Sequence, residues 1–346
     1  MDNEKLQLPL KTRISLFFFN AVTDSSSRPD GTVNRRHLSV AGSLSSMRVP
    51  AAAKSRNGVK TSDVTVDPSR DLWFRLFVPD GSGDQMKLPV IVFFHGGGFV
   101  YLAADSKPYD AVCRRFAREV PAVVVSVNYR LAPEHRYPAQ YNDGFDVLKF
   151  LDVKRHILPE KADVSRCFLA GDSAGGNLAH HVAVRVARSP SFAHLKASYV
   201  GGVVAIQPFF GGEERCKSEI ELDGVDVILT LKRTDFMWKA LMPVADRDHP
   251  TINVSGPNAE DISKLDFPAT MVVVAGFDSL KDWQIKYYQW LKNSGKEAYL
   301  IQYPNTIHAF YIFPEFPESS LIISQIKHFI HKNYSQLQIS LNSTKL

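Results

Sequence analysis

The segment GDSAG at residues 171–175 places Ser173 between two glycines, where a serine could act as a nucleophile. It follows an apolar run at 167–171 and opens a segment of helical spacing at 174–188, so Ser173 is predicted to lie on a strand-to-helix turn. A serine hydroxyl is a weak nucleophile and needs a sharp, exposed turn within reach of a base. The glycines remove side chains that would collide in such a turn. The pattern predicts acyl transfer at Ser173, with a phosphate-binding or merely close-packed helix start as the alternative.

A second glycine-rich turn, HGGG at residues 95–98, follows another predicted strand. Consecutive glycines let backbone N–H groups approach a ligand oxygen closely. The amides of Gly96, Gly97 or Gly98, together with that of Ala174, could bind the oxyanion that forms when a serine attacks an ester. A flexible loop without chemistry is the alternative. The histidine that opens the motif is interpreted as a structural residue rather than as the base.

Two later strand ends could supply the base and the acid that a nucleophilic serine needs. Asp278 comes directly after the apolar run at 270–277, and His308 lies in a short loop after the run at 298–304. The imidazole could accept the proton of Ser173, while the carboxylate orients the ring and stabilises its cation. Apart from His95, interpreted above as structural, the other histidines lie on predicted helices or lack such a strand before them. The order Ser, Asp, His therefore predicts a catalytic triad.

Each member of this triad has an alternative. Asp282 is a rival acid, but it falls inside the next predicted helix. Asp172 is expected to point away from the site if its neighbour Ser173 points into it. Taken alone, Asp278 would be an ordinary loop acid and His308 an ordinary surface histidine. The presence of all four elements in the right order is what argues against coincidence.

Short apolar runs alternate with segments of helical spacing from residue 86 onward, and they lack strict polar alternation. This is typical of parallel strands with helices on both faces, so the sequence predicts an α/β fold with a mostly parallel sheet. The predicted strands cover 88–95, 122–129, 167–171, 199–206, 270–277 and 298–304. The predicted helices cover 108–119, 139–151, 174–188, 234–242, 281–293 and 318–332. The run at 71–79 alternates more clearly and predicts an antiparallel edge strand.

The N-terminal region differs from the rest of the chain. Residues 8–23 have helical spacing, and a stretch rich in Ser, Gly and Arg follows to about residue 60. We expect a helical lid and tether over 1–60 and a catalytic domain over 61–346, with a cap-like insert around 209–245. The apolar face of the N-terminal helix is predicted to contain Leu10, Ile14, Phe17, Phe18 and Ala21. Four aromatic residues are predicted to bind substrate, with core packing as the alternative for each: Phe18, Phe209, Phe210 and Trp238.

The composition limits the partners that the protein could have. The formal net charge is +5, and the charges are spread along the chain, so no nucleic-acid partner is expected. The N-terminal apolar run is too short to span a membrane, and the three cysteines lack CxxC spacing. We expect a cytoplasmic protein without stable membrane insertion, metal or organic cofactor. A nuclear address stays open, and the C-terminal TKL differs from the peroxisomal SKL signal at its first position.

Several motifs together resemble a known family. They are HGGGF at 95–99, VNYRLAPEHRYPA at 127–139, GDSAGGN at 171–177, AGFDSL at 275–280 and IHAFYIF at 307–313. Over about residues 60–332 the chain is similar to the plant carboxylesterases of the hormone-sensitive-lipase group within the α/β-hydrolases. LPLKTRIS and RPDGTVNRR near the N-terminus also resemble the lid segment of the related gibberellin receptors. The resemblance implies an α/β-hydrolase fold, the triad of Ser173, Asp278 and His308, and the oxyanion hole named above. It also implies that the 127–139 segment is scaffold beside the site.

The resemblance leaves two classes of function open. Receptors of this kind replace the triad histidine by an aliphatic residue, whereas this chain retains His308. An imidazole facing a serine in an apolar cavity has little use in a receptor. We therefore expect a carboxylesterase that acts on small hydrophobic esters through an acyl-enzyme. The alternative is a non-hydrolytic hormone-type receptor or a protein of specialised metabolism.

Overall fold

The computed structural model describes residues 8–40, 48–81, 87–189 and 200–343. Within these residues, eight strands form one sheet in the order β1-β2-β4-β3-β5-β6-β7-β8. The strands are β1 (Val59–Asp67), β2 (Leu72–Pro79), β3 (Leu88–Phe94), β4 (Val123–Asn128), β5 (Ala162–Asp172), β6 (Val200–Ile206), β7 (Thr270–Phe277) and β8 (Ala298–Ile307). β2 pairs antiparallel with β1 and β4, and all other neighbours pair in parallel. This confirms the predicted α/β fold with its mostly parallel sheet.

Helices cover both faces of the sheet, as its apolar strands require. They are α1 (Leu10–Ser26), α2 (Arg35–Val40), α3 (Lys107–Glu119), α4 (Ala139–Val153), α5 (Ala174–Arg188), α6 (Lys217–Glu221), α7 (Leu231–Leu241), α8 (Lys281–Asn293) and α9 (Glu318–Ser343). Alternate residues of β3 separate the two layers. Val90 and Val92 pack with residues of α4, α5 and α8. Ile91 and Phe93 pack with residues of α3 and α9. The carboxyl ends of the parallel strands thus meet at one edge of the sheet.

Each predicted strand and helix corresponds to an observed element, but the antiparallel edge was assigned wrongly. The run at 71–79 forms β2, which is antiparallel but second in the sheet, because β1 lies outside it. β1 has the sequence VKTSDVTVD, and most of its residues are exposed or partly exposed. Because polar residues occupy many of these positions, the segment lacks the apolar run by which the other strands were predicted. Tyr199, predicted to open the sixth strand, and the C-terminal TKL lie outside the described residues. In the part of the chain that the structure describes, no helix is long and apolar enough to cross a membrane.

Candidate active site

Ser173 lies on the turn between β5 and α5, with φ +52° and ψ −119°. A positive φ is strained for a residue that carries a Cβ, and such strain is concentrated at functional positions. The glycines on either side allow this turn. A Cβ on Gly171 would overlap the carbonyl of Gly175, and a Cβ on Gly175 would overlap the backbone at the end of β3. The sequence therefore holds the Ser173 side chain at the carboxyl edge of the sheet.

Asp278 and His308 lie beside each other just after β7 and β8. The Nδ1 of His308 is 2.7 Å from the Oδ2 of Asp278, and the two residues are 3% and 0% exposed. The same Oδ2 accepts N–H groups from Gln207 at 3.0 Å and from Gln284 at 2.9 Å. The rival acid Asp282 instead accepts the backbone N–H of Ser218. The structure thus pairs His308 with the acid that the strand order predicts.

Buried carboxyl groups control the charge of this histidine. Burial disfavours the cation, but the charge and hydrogen bond of Asp278 and the charges of Asp226 and Asp172 outweigh it. The result is that the pKa of His308 is raised above its ordinary value. Asp226, which no sequence pattern predicted, is 2% exposed and accepts the backbone N–H of Ser279 at 2.9 Å. Burial and then the charge of Asp278 raise the pKa of Asp226.

Ser173 and His308 both line one cavity of about 480 Å³. The cavity lies at the carboxyl edge of the sheet and is bordered by two covering segments, which we define as residues 8–40 and 209–245. Side chains from both segments form much of its wall. The apolar and aromatic lining residues include Leu16, Phe19, Ile228, Leu229, Phe236 and Met237 from these segments, and Tyr101, Leu102, Tyr109, Ile312 and Phe313 from elsewhere in the chain. The arrangement places a hydroxyl and an imidazole in a space suited to an apolar ligand.

The glycine-rich loop after β3 contributes two residues to the same cavity. Gly97 and Gly98 line it with φ values of +102° and +62°. The predicted role of Gly96 is wrong, because its N–H donates to the hydroxyl of Tyr109 at 2.7 Å and is already used. The amide of Ala174 stands at the start of α5, where the first N–H groups of a helix have no partner in that helix. Gly97, Gly98 and Ala174 therefore stay as the candidate oxyanion donors.

Asp172 occupies a different position from the one expected. It lines the cavity instead of pointing away from it, and its Oδ2 accepts the hydroxyl of Tyr109 at 3.0 Å. Burial raises its pKa to about 6, although the hydroxyl groups of Tyr109 and Tyr311 and the charge of His308 lower it. Tyr109 joins this carboxyl to the Gly96 amide. Asp172 thus supports the loop that carries the candidate oxyanion donors.

The first histidine of the HGGG motif is in a structural setting, as the sequence analysis expected. The ring of His95 stacks on Tyr129 with centroids 4.3 Å apart, and its Nδ1 lies 2.8 Å from the Gly96 carbonyl. Burial lowers the pKa of His95 to about 4, so the ring is neutral near pH 7. Tyr129 belongs to the 127–139 segment, and its hydroxyl donates to the His95 carbonyl at 2.7 Å. The 127–139 segment therefore helps to hold the HGGG loop in place through Tyr129.

The four aromatic residues predicted to bind substrate do not line the cavity. Phe209 and Trp238 stack on each other with ring centroids 4.1 Å apart, and they are 1% and 3% exposed. Phe210 is equally buried and packs against Tyr287. Phe18 is 58% exposed, on the outer face of α1. The insert turns its large rings into the core, so core packing is the correct interpretation for three of the four.

The N-terminal helix lies over the cavity with its apolar face turned outward. All five residues of the predicted apolar face are exposed: Leu10, Ile14, Phe17, Phe18 and Ala21. The inner face instead presents Leu16, Phe19 and Thr23 to the cavity. Polar contacts hold it in place, because Asn20 donates to the Val227 carbonyl at 2.6 Å. Periodicity showed which residues share a face, but it assigned the wrong face to the site.

A salt bridge fixes the end of the same helix. Arg233 of α7 donates to both carboxylate oxygens of Asp24, at 2.8 and 2.7 Å. Beyond the helix, Ser27 lies 2.6 Å from the hydroxyl of Tyr101, which itself lines the cavity. The two covering segments therefore contact each other as well as the sheet edge.

Comparison with known proteins shows the family to which the chain belongs. A family model described as the alpha/beta hydrolase fold matches residues 91–312. The gibberellin receptor GID1C of Arabidopsis thaliana is 38% identical over 340 residues, which cover 94% of this chain and 95% of the receptor. Carboxylesterase 20 of Arabidopsis thaliana is 34% identical and covers 87% of this chain and 93% of that protein. The solved structure of an esterase from Pyrobaculum calidifontis is 32% identical, with a TM-score of 0.67 over 78% of this chain and 84% of that one.

These matches confirm the resemblance inferred from the motifs. The family model extends from within β3 to beyond β8 and includes the three loops that carry Ser173, Asp278 and His308. The match to the receptor extends over nearly the whole chain, whereas the match to the archaeal esterase covers less of it. The chain belongs to the α/β-hydrolase fold family, and the proteins that it resembles include a plant carboxylesterase and a gibberellin receptor.

Proposed function

We propose that the protein is a carboxylesterase that hydrolyses small hydrophobic esters, with Ser173 as nucleophile, His308 as base and Asp278 as the orienting acid. One observation carries the proposal. An imidazole bonded to a buried carboxylate at 2.7 Å shares an apolar-walled cavity with a serine on a strained strand-to-helix turn. A protein that only binds a ligand gains nothing from a base held in this way.

The reaction proceeds in two steps of acyl transfer. Ser173 Oγ attacks the ester carbonyl while His308 Nε2 takes its proton, and the N–H groups of Gly97, Gly98 and Ala174 bind the resulting oxyanion. The intermediate collapses as the imidazolium gives its proton to the departing alcohol, which leaves an acyl-enzyme. Water, deprotonated by the same nitrogen, then attacks the acyl group and releases the acid. Serine regains its proton from the imidazolium.

The experiment is labelling with a fluorophosphonate, followed by identification of the modified residue and by turnover of a short-chain p-nitrophenyl ester. We expect the label on Ser173. Ser173→Ala and His308→Ala should each lower kcat by at least about 10³-fold, because the triad members act as a unit. His328→Ala is the control, since His328 is exposed on α9, and it should retain wild-type turnover. No label and no turnover in the wild-type protein would refute the proposal.

The second candidate is a non-hydrolytic receptor for a small hydrophobic molecule. Two observations support it: the match to a gibberellin receptor covers 94% of the chain, and residues of the N-terminal segment line the cavity. Under this candidate, the wild-type protein would bind a gibberellin in calorimetry and hydrolyse no ester. Under the esterase proposal, turnover is measurable and is lost in His308→Ala.

A further inference from the structure

The backbone turn after β6 is bonded to the turn that carries Ser173. The carbonyl of Ile206 accepts the N–H of Ser173 at 2.9 Å, and the N–H of Phe209 donates to the Ser173 carbonyl at 2.8 Å. The serine turn is therefore fixed on both sides by one short segment. Gln207 is the residue inside that segment whose side chain reaches Asp278 and the backbone on either side of His308.

The side-chain amide of Gln207 makes three hydrogen bonds. Its Nε2 donates to Asp278 Oδ2 at 3.0 Å and to the Ile307 carbonyl at 3.2 Å. Its Oε1 accepts the N–H of Ala309 at 2.8 Å. The amide therefore holds the carboxylate of Asp278 and the backbone on both sides of His308. Exchanging the nitrogen and the oxygen by a 180° flip of the amide would lose these bonds, because two of the partners are acceptors and one is a donor.

The conformation of this segment is unusual in the same place. Gln207 is fully buried and has a φ of +46°, and Ala309 has a φ of +57°. Residues with a Cβ rarely adopt this region, and they are retained there when the surroundings fix them. Both residues lie at the ends of the hydrogen bond that joins the β6 turn to the His308 loop. One hydrogen bond thus joins two residues that both have a strained backbone conformation.

We propose that Gln207 is a positioning residue that aligns His308 with Asp278 and Ser173. The inference rests on the esterase function proposed above. Gln207 does not touch the reacting atoms; it fixes the three loops that carry them. Since misplacement by about 1 Å can cost about 100-fold in rate, loss of this amide should act on kcat and leave substrate binding nearly intact.

The chain offers a matched control for this idea. Gln284 is also fully buried and donates to the same Oδ2 of Asp278 at 2.9 Å, but no hydrogen bond joins its side chain to the His308 loop within the described residues. Gln207→Met and Gln284→Met each remove one donor from Asp278 and keep the side-chain length. We expect kcat to fall about 10- to 100-fold in Gln207→Met and less than about 3-fold in Gln284→Met, with KM within about 3-fold in both.

Proton NMR gives a second readout that needs no substrate. The His308 Nδ1–H bonded to Asp278 should give a far-downfield resonance, which His308→Ala assigns by removing it. We expect this resonance to be lost or shifted upfield in Gln207→Met and retained in Gln284→Met. Equal kcat and equal resonances in the two variants would overturn the proposal.

Two further outcomes are separable. If Gln207→Met does not fold, Gln207→Asn is compared with Gln284→Asn. The shorter amide cannot span Asp278 and Ala309 together, so the proposal again requires the larger loss at position 207. If the wild-type protein hydrolyses no ester, the esterase function fails, while the His308 resonance still decides whether Gln207 aligns the imidazole.

Discussion

The loops at the carboxyl edge of the sheet and the two covering segments are held by different contacts. The edge loops are linked by buried hydrogen bonds, such as those from Gln207 to Asp278 and to the backbone beside His308. α1 is held over the cavity by contacts near its surface, such as the salt bridge between Arg233 and Asp24. Buried, fully bonded groups are costly to displace, whereas exposed ion pairs contribute little.

This difference separates chemistry from substrate choice. The edge loops keep the candidate catalytic groups in one arrangement, and the covering segments supply about half of the apolar wall. Substitutions at the edge should change kcat or the pH dependence. Substitutions in the cover should change either stability or KM, depending on whether the side chain enters the core or the cavity.

The largest effect on stability is expected at Trp238, which belongs to the covering segment 209–245 but whose side chain is buried in the core. Trp238→Ala removes a ring stacked on Phe209 and should lower the free energy of unfolding by about 3–5 kcal/mol. KM for a p-nitrophenyl ester should change little, because Trp238 does not line the cavity. Urea denaturation and steady-state kinetics measure the two effects.

Phe236→Ala is the control for this prediction. Phe236 lies two positions earlier on α7, is half-buried and lines the cavity. We expect a smaller loss of stability, about 1–2 kcal/mol, and a clear rise in KM. If Trp238→Ala changed KM more than Phe236→Ala did, the Trp238 ring would contact substrate. The distinction between core and cavity side chains within the covering segments would then be wrong.

The next largest effect concerns the edge loop at Gly97. A Cβ at this position would overlap the carbonyl of Tyr101, and φ of +102° is strained for alanine. Gly97→Ala must therefore move the loop and its amides, and we expect kcat for ester hydrolysis to fall about 10²- to 10³-fold. Gly81→Ala is the matched control, since Gly81 has φ of +71° and open space around it. Wild-type kcat in Gly97→Ala would exclude this loop from the oxyanion site.

The candidate catalytic loops could be predicted because each motif directly follows a buried strand. In a parallel sheet, strand order alone brings Ser173, Asp278 and His308 to one edge. Gln207 and Asp226 could not be assigned in this way, because their roles depend on which distant side chain reaches them. The signal for Gln207 was a polar residue placed directly after β6. It has no motif of its own.

The orientation of side chains in the covering segments was harder to predict than the candidate catalytic loops, for a physical reason. Helical periodicity in 8–23 identifies an apolar face but gives no direction for it, and the observed α1 turns that face to solvent. The fate of Phe209 and Trp238 depends on the path of the insert, which local sequence does not fix. Gly96 was misassigned because the hydroxyl that occupies its amide comes from Tyr109 on α3.

A smaller effect is expected from the buried acid beside the serine. The pKa of Asp172 is raised from 3.8 to about 6 by burial, so the folded protein holds this proton more tightly than the unfolded chain. Ionisation therefore destabilises the wild-type protein as pH rises from about 4 to about 6. Asp172→Asn keeps an acceptor for Tyr109 and should be more stable than wild type by about 2–3 kcal/mol at pH 8, with no advantage below pH 4.

Urea denaturation at both pH values tests this prediction. The same variant removes a negative charge that raises the pKa of His308, so the acidic limb of kcat/KM should move to lower pH. If Asp172→Asn were less stable than wild type at pH 8, its partners would stabilise the ionised Asp172 carboxylate by more than burial destabilises it.

The smallest effects come from two neighbouring phenylalanines of α1 and test which face of the helix meets the site. Phe18 is 58% exposed, whereas Phe19 is half-buried and lines the cavity. Phe19→Ser should raise KM for a hydrophobic ester about 3- to 10-fold through lost apolar contact. Phe18→Ser should leave KM unchanged and alter the free energy of unfolding by less than about 0.5 kcal/mol. Because the two substitutions are chemically identical and adjacent, a reversed pattern would mean that α1 presents its apolar face to the substrate after all.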